Sequence, residues 1–303
     1  MFIMSAFCDN DKSIDGFHTP VMVKEVIENL ITDRRGIYID CTFGGGGHSI
    51  EILKNLDNNA RLIAFDQDKD VINNIKKIKD IRLEFINSNF RYISNYLKYL
   101  GVETVDGIFA DLGVSSYQID TPERGFSIRF DGKLDMRMNI GLKKTAFDVV
   151  NIYNIEDLIY IFKTYGELNN ADEISRLIVR NRRLKKIETT MQLVDIVLKC
   201  INISRINKNK FLAKVFQALR IEVNDELKSL EILLKKSIGF LKNGGRLVLL
   251  SYHSLEDRII KNFFKSNKSI ISLYKKPLIP SSNEIISNSR SRSAKLRIGV
   301  KIN

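Results

Sequence analysis

The sequence predicts an α/β fold in which a mainly parallel, doubly wound sheet is interrupted by an inserted helical domain. In the part of the chain up to Asp111, short apolar strands alternate with helices. Alternation at this interval implies right-handed β–α–β crossovers and a parallel sheet. The alternation then stops for about a hundred residues, which is too long for an ordinary loop, so an inserted domain is expected.

The first elements predict a helix, a strand and a glycine loop in that order. Thr19 suits the N-cap of the first helix and Pro20 its first position. Residues 36–40 form a short apolar strand that ends at Asp40 and runs into the four glycines Gly44–Gly47. The apolar spacing after the glycines predicts a second helix.

The same alternation continues to the end of the fourth strand. Apolar strands are predicted over residues 61–66, 83–86 and 106–111, with helices over 69–78 and 90–100. Asp66 and Asp111 end two of these strands. Ligands of such sheets bind at the carboxyl ends of the strands, so both carboxylates are candidates for a binding site.

The rest of the chain predicts the insertion and the return to the sheet. Residues 121–139 suggest an ordered loop, and Thr189 with Gln192 forms a capping-box pattern. The further predicted elements are helices over 156–165, 172–183, 192–201 and 227–241, a turn at 243–245, a strand over 246–250, and a hairpin of 270–278 with 295–302 around the polar, basic loop 281–293.

We therefore predict one domain formed by residues 1–120 and 215–303, with residues 121–214 inserted as a substrate-recognition domain. The 303 residues are 44% hydrophobic, which is enough for a full core. Since no apolar run approaches the roughly 20 residues that cross a bilayer, a cytoplasmic protein without membrane contact is expected. Three scattered cysteines and three scattered histidines indicate neither a disulfide framework nor a metal site.

The net charge of +12 is concentrated in two segments. Residues 170–220 hold 12 basic and 4 acidic side chains, and residues 258–303 hold 11 and 1. Basic segments on an acidic remainder are typical of proteins that bind a polyanion. The alternative is a drift in codon usage, because the chain is rich in Lys, Asn and Ile.

The glycine loop favours one class of adenosine cofactor over others. The dinucleotide pattern G-x-G-x-x-G fails because Ser49 or Ile50 stands where its third glycine belongs, which disfavours nicotinamide and flavin. Asp66 lies about 20 residues beyond the loop, where a carboxylate accepts hydrogen bonds from a ribose. S-Adenosylmethionine fits, since Asp40, Asp66 and Asp111 bring negative charge towards its cationic groups. The alternative for Asp40 is a turn or capping residue.

The motifs taken together resemble one family, the bacterial small-subunit (16S) ribosomal RNA cytosine-N4 methyltransferases of the RsmH (MraW) type. The resemblance covers nearly the whole chain and rests on HTPVM from His18, YIDCTFGGGGHS from Tyr38, FDQD from Phe65, DGIFADLGVSSYQID from Asp106, ERGFS from Glu123, DGKLDMRM from Asp131, TYGEL from Thr164, FQALRIEVNDEL from Phe216, GGRLVLLSYHSLEDR from Gly244 and SRSAKLR from Ser291. It implies a class I (Rossmann-like) methyltransferase with a helical insertion. It also implies S-adenosylmethionine as cofactor and a cytidine in the decoding region of the small ribosomal subunit as target.

The resemblance also implies site residues. Its cofactor contacts fall on Gly46, Gly47, His48, Asp66, Phe90, Asp111 and Gln118. The glycines would admit the methionine moiety, Asp66 the ribose and Phe90 the adenine. Phe90 is alternatively a core aromatic, and a capping or packing role for His48 is equally compatible with the sequence.

Asp111, Ser115 and His253 are the candidate catalytic residues. Acceptors at the end of the fourth strand, with the backbone of 112–114 and Ser116, would draw the hydrogens of the cytosine amine and expose its lone pair. His253 would take a proton later or contact the base, or it holds a structural hydrogen bond at a strand end. Methylation at C5 is disfavoured because it needs a nucleophilic cysteine there, whereas Cys41 is more simply a packing residue.

The inserted helices carry the predicted RNA clamp. Its members are Arg176, Arg180, Arg182, Arg183, Lys185 and Lys186. They would contact phosphates near a base that has left its stack, or they form a solvated helix face.

Lys133, Lys210, Phe211 and Lys214 depart from the family pattern. The alternative functions are methylation of another nucleic acid or a protein, and RNA-binding assembly without catalysis; a monomer and a homodimer both remain open.

Overall fold

The computed structural model describes residues 20–200 and 207–302, and within them seven strands form one sheet. The strands are β1 (Ile37–Asp40), β2 (Arg61–Asp66), β3 (Leu83–Asn87), β4 (Val105–Asp111), β5 (Leu241–Ser251), β6 (Ile270–Ser272) and β7 (Lys295–Lys301). Their order is β3-β2-β1-β4-β5-β7-β6. Strands β1 to β5 are parallel, and β7 runs antiparallel to both β5 and β6. The predicted doubly wound sheet is confirmed.

Helices cover both faces of the sheet and build the insertion. They are α1 (Val23–Leu30), α2 (Gly47–Lys54), α3 (Ile72–Ile75), α4 (Ile93–Tyr99), α5 (Ser116–Asp120), α6 (Ala146–Ile152), α7 (Ile155–Thr164), α8 (Ala171–Arg182), α9 (Thr190–Val197), α10 (Lys208–Asn224), α11 (Glu226–Phe240), α12 (Ser254–Ser266) and α13 (Ser282–Ser287). Among the described residues, none of these helices is long and apolar enough to cross a membrane.

Alternating side chains of the central strands β1 and β4 pack into two apolar cores, one on each face of the sheet. Tyr38 and Phe109 are buried with α1 and α2 on one face, whereas Ile39 and Ile108 are buried with α4, α11 and α12 on the other. A period of two is what a strand covered on both faces requires. Strands β1, β2, β4 and β5 each contribute buried side chains to both cores, so their carboxyl ends form a fixed edge.

A third apolar core lies in the middle of the chain. Its buried residues run from Leu134 to Val223, and neither core of the sheet shares a member with it. Helices α6 to α10 supply most of these side chains. Helix α10 runs across position 214, the predicted boundary of the insertion, and its buried residues as far as Val223 belong to this third core.

Three predicted elements differ in their limits. Thr19 lies outside the described residues, and α1 begins after Pro20 with Met22 as its N-cap. The helix predicted over 69–78 is reduced to a 3-10 turn and the single turn α3, since two consecutive asparagines have low helix propensity. The predicted turn at 243–245 lies within β5, at an irregularity in its pairing with β4.

The predicted closing hairpin and capping box are present. β6 pairs with β7 over three residues, and a separate bridge joins Leu278 to Leu296. Thr189 accepts a hydrogen bond from the Gln192 backbone, which caps α9 as predicted. The helix predicted over 192–201 begins at Thr190 and ends at Val197, followed by a 3-10 turn to Cys200; Ile201 lies outside the described residues.

Candidate active site

Asp40, at the end of β1, fastens the glycine loop to the sheet. Its carboxylate accepts hydrogen bonds from the Ser49 hydroxyl at 2.6 Å and from the Thr42 amide at 3.0 Å. Burial raises the pKa of this carboxyl, which is fully enclosed. Of the turn and capping roles that the sequence left open for Asp40, its hydrogen bond with the Thr42 amide performs the turn role, whereas the N-cap of α2 is Gly46.

The glycine loop bends where only glycine fits easily. Gly46 has φ 84° and caps α2, and a Cβ there would come within 2.8 Å of the Phe43 ring. A Cβ at Gly45 would meet nothing within 4 Å, so that residue borders open space. Gly47 is the first residue of α2. The loop therefore presents backbone, with little side-chain bulk, at the start of this helix.

Asp66, at the end of β2, is tied to the same loop. One carboxylate oxygen accepts the Gly44 amide at 2.7 Å and the other accepts the Asp68 amide at 2.9 Å. Burial raises the pKa of Asp66 to about 7, with the neighbouring Asp68 and Asp40 charges adding to the rise. A ligand donor that reaches Asp66 therefore meets a carboxylate already oriented by two amides.

Phe90 follows β3, on the same edge of the sheet. Its side chain is half-buried and packs against the core that contains α4 and α11. Asn89 caps the short 3-10 turn that begins at Phe90. The ring therefore has one face supported by the protein, and both predicted roles, core aromatic and adenine contact, are compatible with its place.

Asp111, at the end of β4, is held between two neighbouring strands. Its amide donates to the Thr42 hydroxyl at 2.6 Å beside β1, and its Oδ1 accepts the Tyr252 hydroxyl at 2.7 Å beyond β5. The side chain keeps 26% of its surface exposed. Burial raises the pKa of Asp111 to about 7. The Tyr252 hydrogen bond opposes this rise, and the Glu256 charge adds to it.

His48 faces the second carboxylate oxygen of Asp111. Its Nε2 lies 2.9 Å from the Val21 carbonyl, its Nδ1 lies 3.7 Å from Asp111 Oδ2, and its ring packs on Phe109. Since a carbonyl only accepts, Nε2 carries the hydrogen. Burial lowers the pKa of the imidazole, and the neutral ring leaves Nδ1 as a second acceptor beside Asp111.

Ser115 and Gln118 cap α5, which follows β4. The Ser115 hydroxyl accepts the Gln118 amide, and the Gln118 side-chain oxygen accepts the Ser115 amide at 3.1 Å. The buried Gln118 also donates to Asp68 at 2.7 Å. The side-chain amide of Gln118 is thus engaged by Ser115 and Asp68, whereas the Ser115 hydroxyl donates to no described residue.

His253 is the N-cap of α12 and is paired with a buried glutamate. Its Nδ1 accepts the Glu256 amide at 3.4 Å, and its Nε2 lies 3.2 Å from Glu256 Oε1. Despite complete burial, the pKa of Glu256 is lowered, because the neighbouring His253 and Arg220 favour its ionised form. The structural role that the sequence left open for His253 is present, and the strand-end residue that contacts Asp111 is Tyr252.

Sequence reasoning missed a buried charge cluster behind Asp66. Arg124 lies 2.8 Å from Asp68 and 2.6 Å from Asp70, and it also donates to the carbonyls of Arg137 and Met138. Asp68 and Arg124 are only 2% and 7% exposed, so each buried charge depends on the other to offset the free-energy cost of its burial. The motifs FDQD and ERGFS contained both residues, but no local spacing joins them.

The predicted clamp residues have unequal surroundings. Arg176 pairs with Asp172 at 2.7 Å on the surface of α8, and Arg182 donates to the Val150 and Tyr153 carbonyls, each at 2.6 Å. Lys186 lies 5.8 Å from the Phe147 ring centre. Arg180, Arg183 and Lys185 are exposed and form no ion pair with a described residue.

The departures from the family pattern include structural residues. Phe211 is buried in the third core, and Lys214 donates to the Glu167 carbonyl at 3.1 Å. Lys133 forms an isolated bridge with Thr189, and Lys210 is exposed.

Cys41 is buried in a sheet core, and burial raises the pKa of its thiol. Its packing role agrees with the prediction.

Comparison with known proteins gives one consistent result. Residues 15–302 match the model of the MraW methylase family. The chain is 46% identical over 300 residues to ribosomal RNA small subunit methyltransferase H of Christiangramia forsetii, covering 94% of this chain and 98% of that one. The protein of the same name from Phocaeicola vulgatus is 47% identical over 300 residues, covering 94% and 97%.

Proposed function

The chain belongs to the MraW methylase family, and from this premise we propose that it transfers a methyl group from S-adenosylmethionine to the exocyclic N4 amine of one cytidine in the decoding region of 16S ribosomal RNA. Relatives that are 46% and 47% identical carry the name ribosomal RNA small subunit methyltransferase H. The observation that carries the chemical proposal is the position of Asp111, which joins the glycine-loop side of the sheet edge to β5.

The residues present fit this methyl donor. Asp40, Asp66 and Asp111 end three adjacent strands, and the protein raises the pKa of each carboxyl. A bound cation lowers the free energy of buried carboxylates, and the donor carries both an ammonium and a sulfonium group. When bound, it supplies an electrophilic methyl group on sulfur. The proposed assignments place Gly46 and Gly47 near the methionine moiety and Asp66 at the ribose.

Asp111 and His48 can prepare the amine that accepts the methyl group. Asp111 Oδ1 accepts the Tyr252 hydroxyl. The acceptors that face a ligand are therefore Asp111 Oδ2 and His48 Nδ1, which lie 3.7 Å from each other. Hydrogen bonds from an exocyclic amine to such acceptors turn its hydrogens away and its lone pair towards an electrophile. In-line displacement depends mainly on such alignment in a site that excludes water.

The surplus proton leaves the product amine after the methyl group has arrived. Because its pKa is about 7, Asp111 is partly ionised near neutral pH and becomes fully ionised beside a cation. It is therefore suited to receive that proton, which then passes to solvent. His253 is less suited, since both of its ring nitrogens face Glu256.

The insertion is proposed to recognise the RNA from outside this edge. We retain residues 121–214 as its approximate extent and place the exposed Arg180, Arg183 and Lys185 against phosphates. Glu167 of the insertion contacts α12 through Ser254 and, at 2.8 Å, through Arg258. This contact supports an arrangement in which RNA held by the insertion reaches β5. The proposed location is the cytoplasm, where small ribosomal subunits are the partner.

The test is methyl transfer to small ribosomal subunits prepared without the modification. Labelled S-adenosylmethionine is incubated with the protein and either subunits or naked 16S RNA, and the RNA is digested to nucleosides. The expected product is N4-methylcytidine, with subunits that already carry the modification as the unlabelled control. Label on another nucleoside or on a ribosomal protein overturns the proposed target, and no label on either substrate overturns the proposed reaction.

A further inference from the structure

A cavity of about 380 Å³ opens at the carboxyl end of β5, where β7 begins. One side is formed by residues 252–254 after β5, and the other by residues of the segment 279–295 that leads into β7. The volume is within the range of sites that hold small organic ligands. The segment 281–293, which was predicted to be a polar, basic loop, instead forms α13 and a 3-10 turn, and it contributes a wall of this cavity.

The cavity lies across Asp111 from the proposed cofactor residues. Apart from Asp111 and Gln118, those residues lie at or after the ends of β1, β2 and β3 on one side of β4, whereas β5 and β7 lie on the other. Tyr252 belongs to both regions, since its side chain lines the cavity and its hydroxyl donates to Asp111 Oδ1 at 2.7 Å. A ligand in the cavity is thus separated from the carboxylate at the reaction centre by one residue.

The lining suits a flat base attached to a phosphate. Tyr252, Pro280 and Ile285 provide aromatic and aliphatic surface, and Ile279 lies at the rim with 68% of its surface exposed. Arg292 is exposed, lines the cavity and forms no ion pair with a described residue. Aromatic and apolar faces hold an extruded base, and a free guanidinium binds phosphate.

The segment that forms the wall is fastened at two places. Arg290 donates to the Ser116 hydroxyl and pairs with Asp120 at 2.8 Å, which ties the segment to α5 beyond β4. Glu284 of α13 accepts the Met22 amide at 2.7 Å, which ties it to α1. The wall is thus held in place by contacts with α5 and with the residue that caps α1, as a preformed pocket requires.

We propose that this cavity is the acceptor site, which takes one extruded pyrimidine nucleotide with its base beside Tyr252 and its phosphate on Arg292. The inference rests on the proposed function and deepens it, because it assigns a place to the target base. The base enters from the β5 side, and its exocyclic amine extends past the Tyr252 ring to Oδ2, the oxygen of Asp111 that does not accept the Tyr252 hydroxyl. The lining residues Ile279, Ile285 and Arg292 are then a part of substrate recognition that is separate from the inserted helices.

The test blocks the cavity at its rim. Ile279→Trp enlarges an exposed lining residue, and Ile286→Trp, at an 83% exposed position that does not line the cavity, is the matched control. We expect Ile279→Trp to lower kcat/KM for small subunits at least tenfold, with unchanged stabilisation by S-adenosylmethionine. The control stays within twofold of the unaltered protein. Equal activity of the two variants overturns the acceptor site while leaving the proposed function intact.

A binding measurement keeps the inference separate from the activity. Saturation-transfer NMR with cytidine 5′-monophosphate, in the presence of S-adenosylhomocysteine, reports binding of the nucleotide, and the rim variants assign that binding to the cavity. We expect a signal from the unaltered protein and from Ile286→Trp, and its loss in Ile279→Trp. The same signal from all three, or none from the unaltered protein at millimolar nucleotide, overturns the site whether or not methyl transfer to RNA is found.

Arg292 offers a second variant that leaves the apolar wall intact. Arg292→Ala is expected to reduce the salt dependence of subunit binding by about one phosphate contact and to raise KM several-fold. Lys265→Ala removes an exposed charge from α12 outside the cavity and serves as its control. An equal salt dependence for both variants overturns the assignment of the phosphate to Arg292.

Discussion

The carboxylates at the strand ends and the basic residues of the insertion differ in how far the protein already uses them. Asp40, Asp66 and Asp111 are each oriented by hydrogen bonds from nearby groups, and the protein raises the pKa of each. In the insertion, Arg182 is committed to two carbonyls, whereas Arg183, the next residue, is exposed and has no ion pair with a described residue. Residue type therefore predicts the surroundings of a side chain more reliably at a strand end than on a helix surface.

The largest expected effect tests whether the strand-end site depends on the buried pair behind it. Arg124→Met leaves Asp68, which is 2% exposed, without its cation. Breaking a buried pair from one side costs about 3–5 kcal/mol, so we expect a loss of that size in the free energy of unfolding, measured by urea denaturation.

The control for this change is Arg61→Met, which breaks a more exposed pair with Glu84 at the opposite end of β2 from Asp66. We expect a loss of about 1 kcal/mol there. A double replacement, Asp68→Leu with Arg124→Met, removes the unpaired charge and should recover part of the stability. If Arg124→Met unfolds at the same urea concentration as the unaltered protein, the pair does not support the site.

The next effect concerns the reaction itself. Asp111→Asn preserves an acceptor for the Tyr252 hydroxyl but replaces the oxygen that faces His48 by an amide nitrogen. Losing one preorganised electrostatic contact lowers kcat by roughly 100- to 1,000-fold, and we expect a fall of this size with saturating cofactor in single-turnover methyl transfer.

Tyr252→Phe is the companion variant, because it removes the hydrogen bond to Asp111 but preserves the aromatic ring. A fall in kcat of about tenfold is expected, which corresponds to about 1.4 kcal/mol. Should Asp111→Asn lose no more activity than Tyr252→Phe, the carboxylate is not the group that prepares the amine.

Cofactor binding gives the third effect. Asp66→Ala should abolish the stabilisation by S-adenosylmethionine, which at 100 times Kd is worth about 2.7 kcal/mol, without unfolding the free protein. Asp80→Ala is the control, because Asp80 likewise accepts a backbone amide two residues ahead but lies at the opposite end of β3. An undiminished thermal shift in Asp66→Ala removes this residue from the binding site.

The pH dependence of the same site has a definite sign. Asp66 and Asp111 have pKa values of about 7 in the folded protein and ordinary, lower values when unfolded. Their contribution to the stability of the free protein is therefore present at low pH and lost as pH rises through 7. Cofactor binding needs the ionised carboxylates and strengthens over the same interval.

Thermal unfolding between pH 6 and 8, with and without S-adenosylmethionine, measures both trends. The cofactor-induced shift should grow with pH, and Asp66→Ala should flatten the change in stability of the free protein. A cofactor-induced shift that is independent of pH contradicts the raised pKa values as a feature of the binding site.

The difference between the two regions also explains what the sequence can predict. Asp40, Asp66 and Asp111 end apolar runs, and parallel strands bring such ends to one edge, so their proximity follows from local pattern. Tyr252 meets Asp111 across 141 positions of sequence. The sequence contains no local spacing that reports such a contact.

Capping is likewise ambiguous in sequence. Gln118 and His253 were predicted to contact cofactor or substrate, and the structure places both at helix N-termini, in hydrogen bonds with nearby backbone amides. A polar residue just after a strand serves equally well for capping and for binding. Whether Gln118 and His253 also touch a ligand remains a prediction.

The smallest expected effect separates the two kinds of arginine in the insertion. Arg183→Ala should lower the salt dependence of RNA binding by about one phosphate contact and leave stability within about 0.5 kcal/mol. Arg182→Ala removes charged hydrogen bonds to the Val150 and Tyr153 carbonyls and should cost about 1.5–3 kcal/mol of stability.

Salt titration of RNA binding and urea denaturation of the same variants distinguish these outcomes. If Arg182→Ala changes the salt dependence as much as Arg183→Ala does, the carbonyl contacts do not prevent Arg182 from reaching phosphate, and the whole run 180–186 acts as one surface. If neither variant changes it, the basic face of α8 is a solvated surface, and the segment that leads into β7 becomes the principal RNA contact.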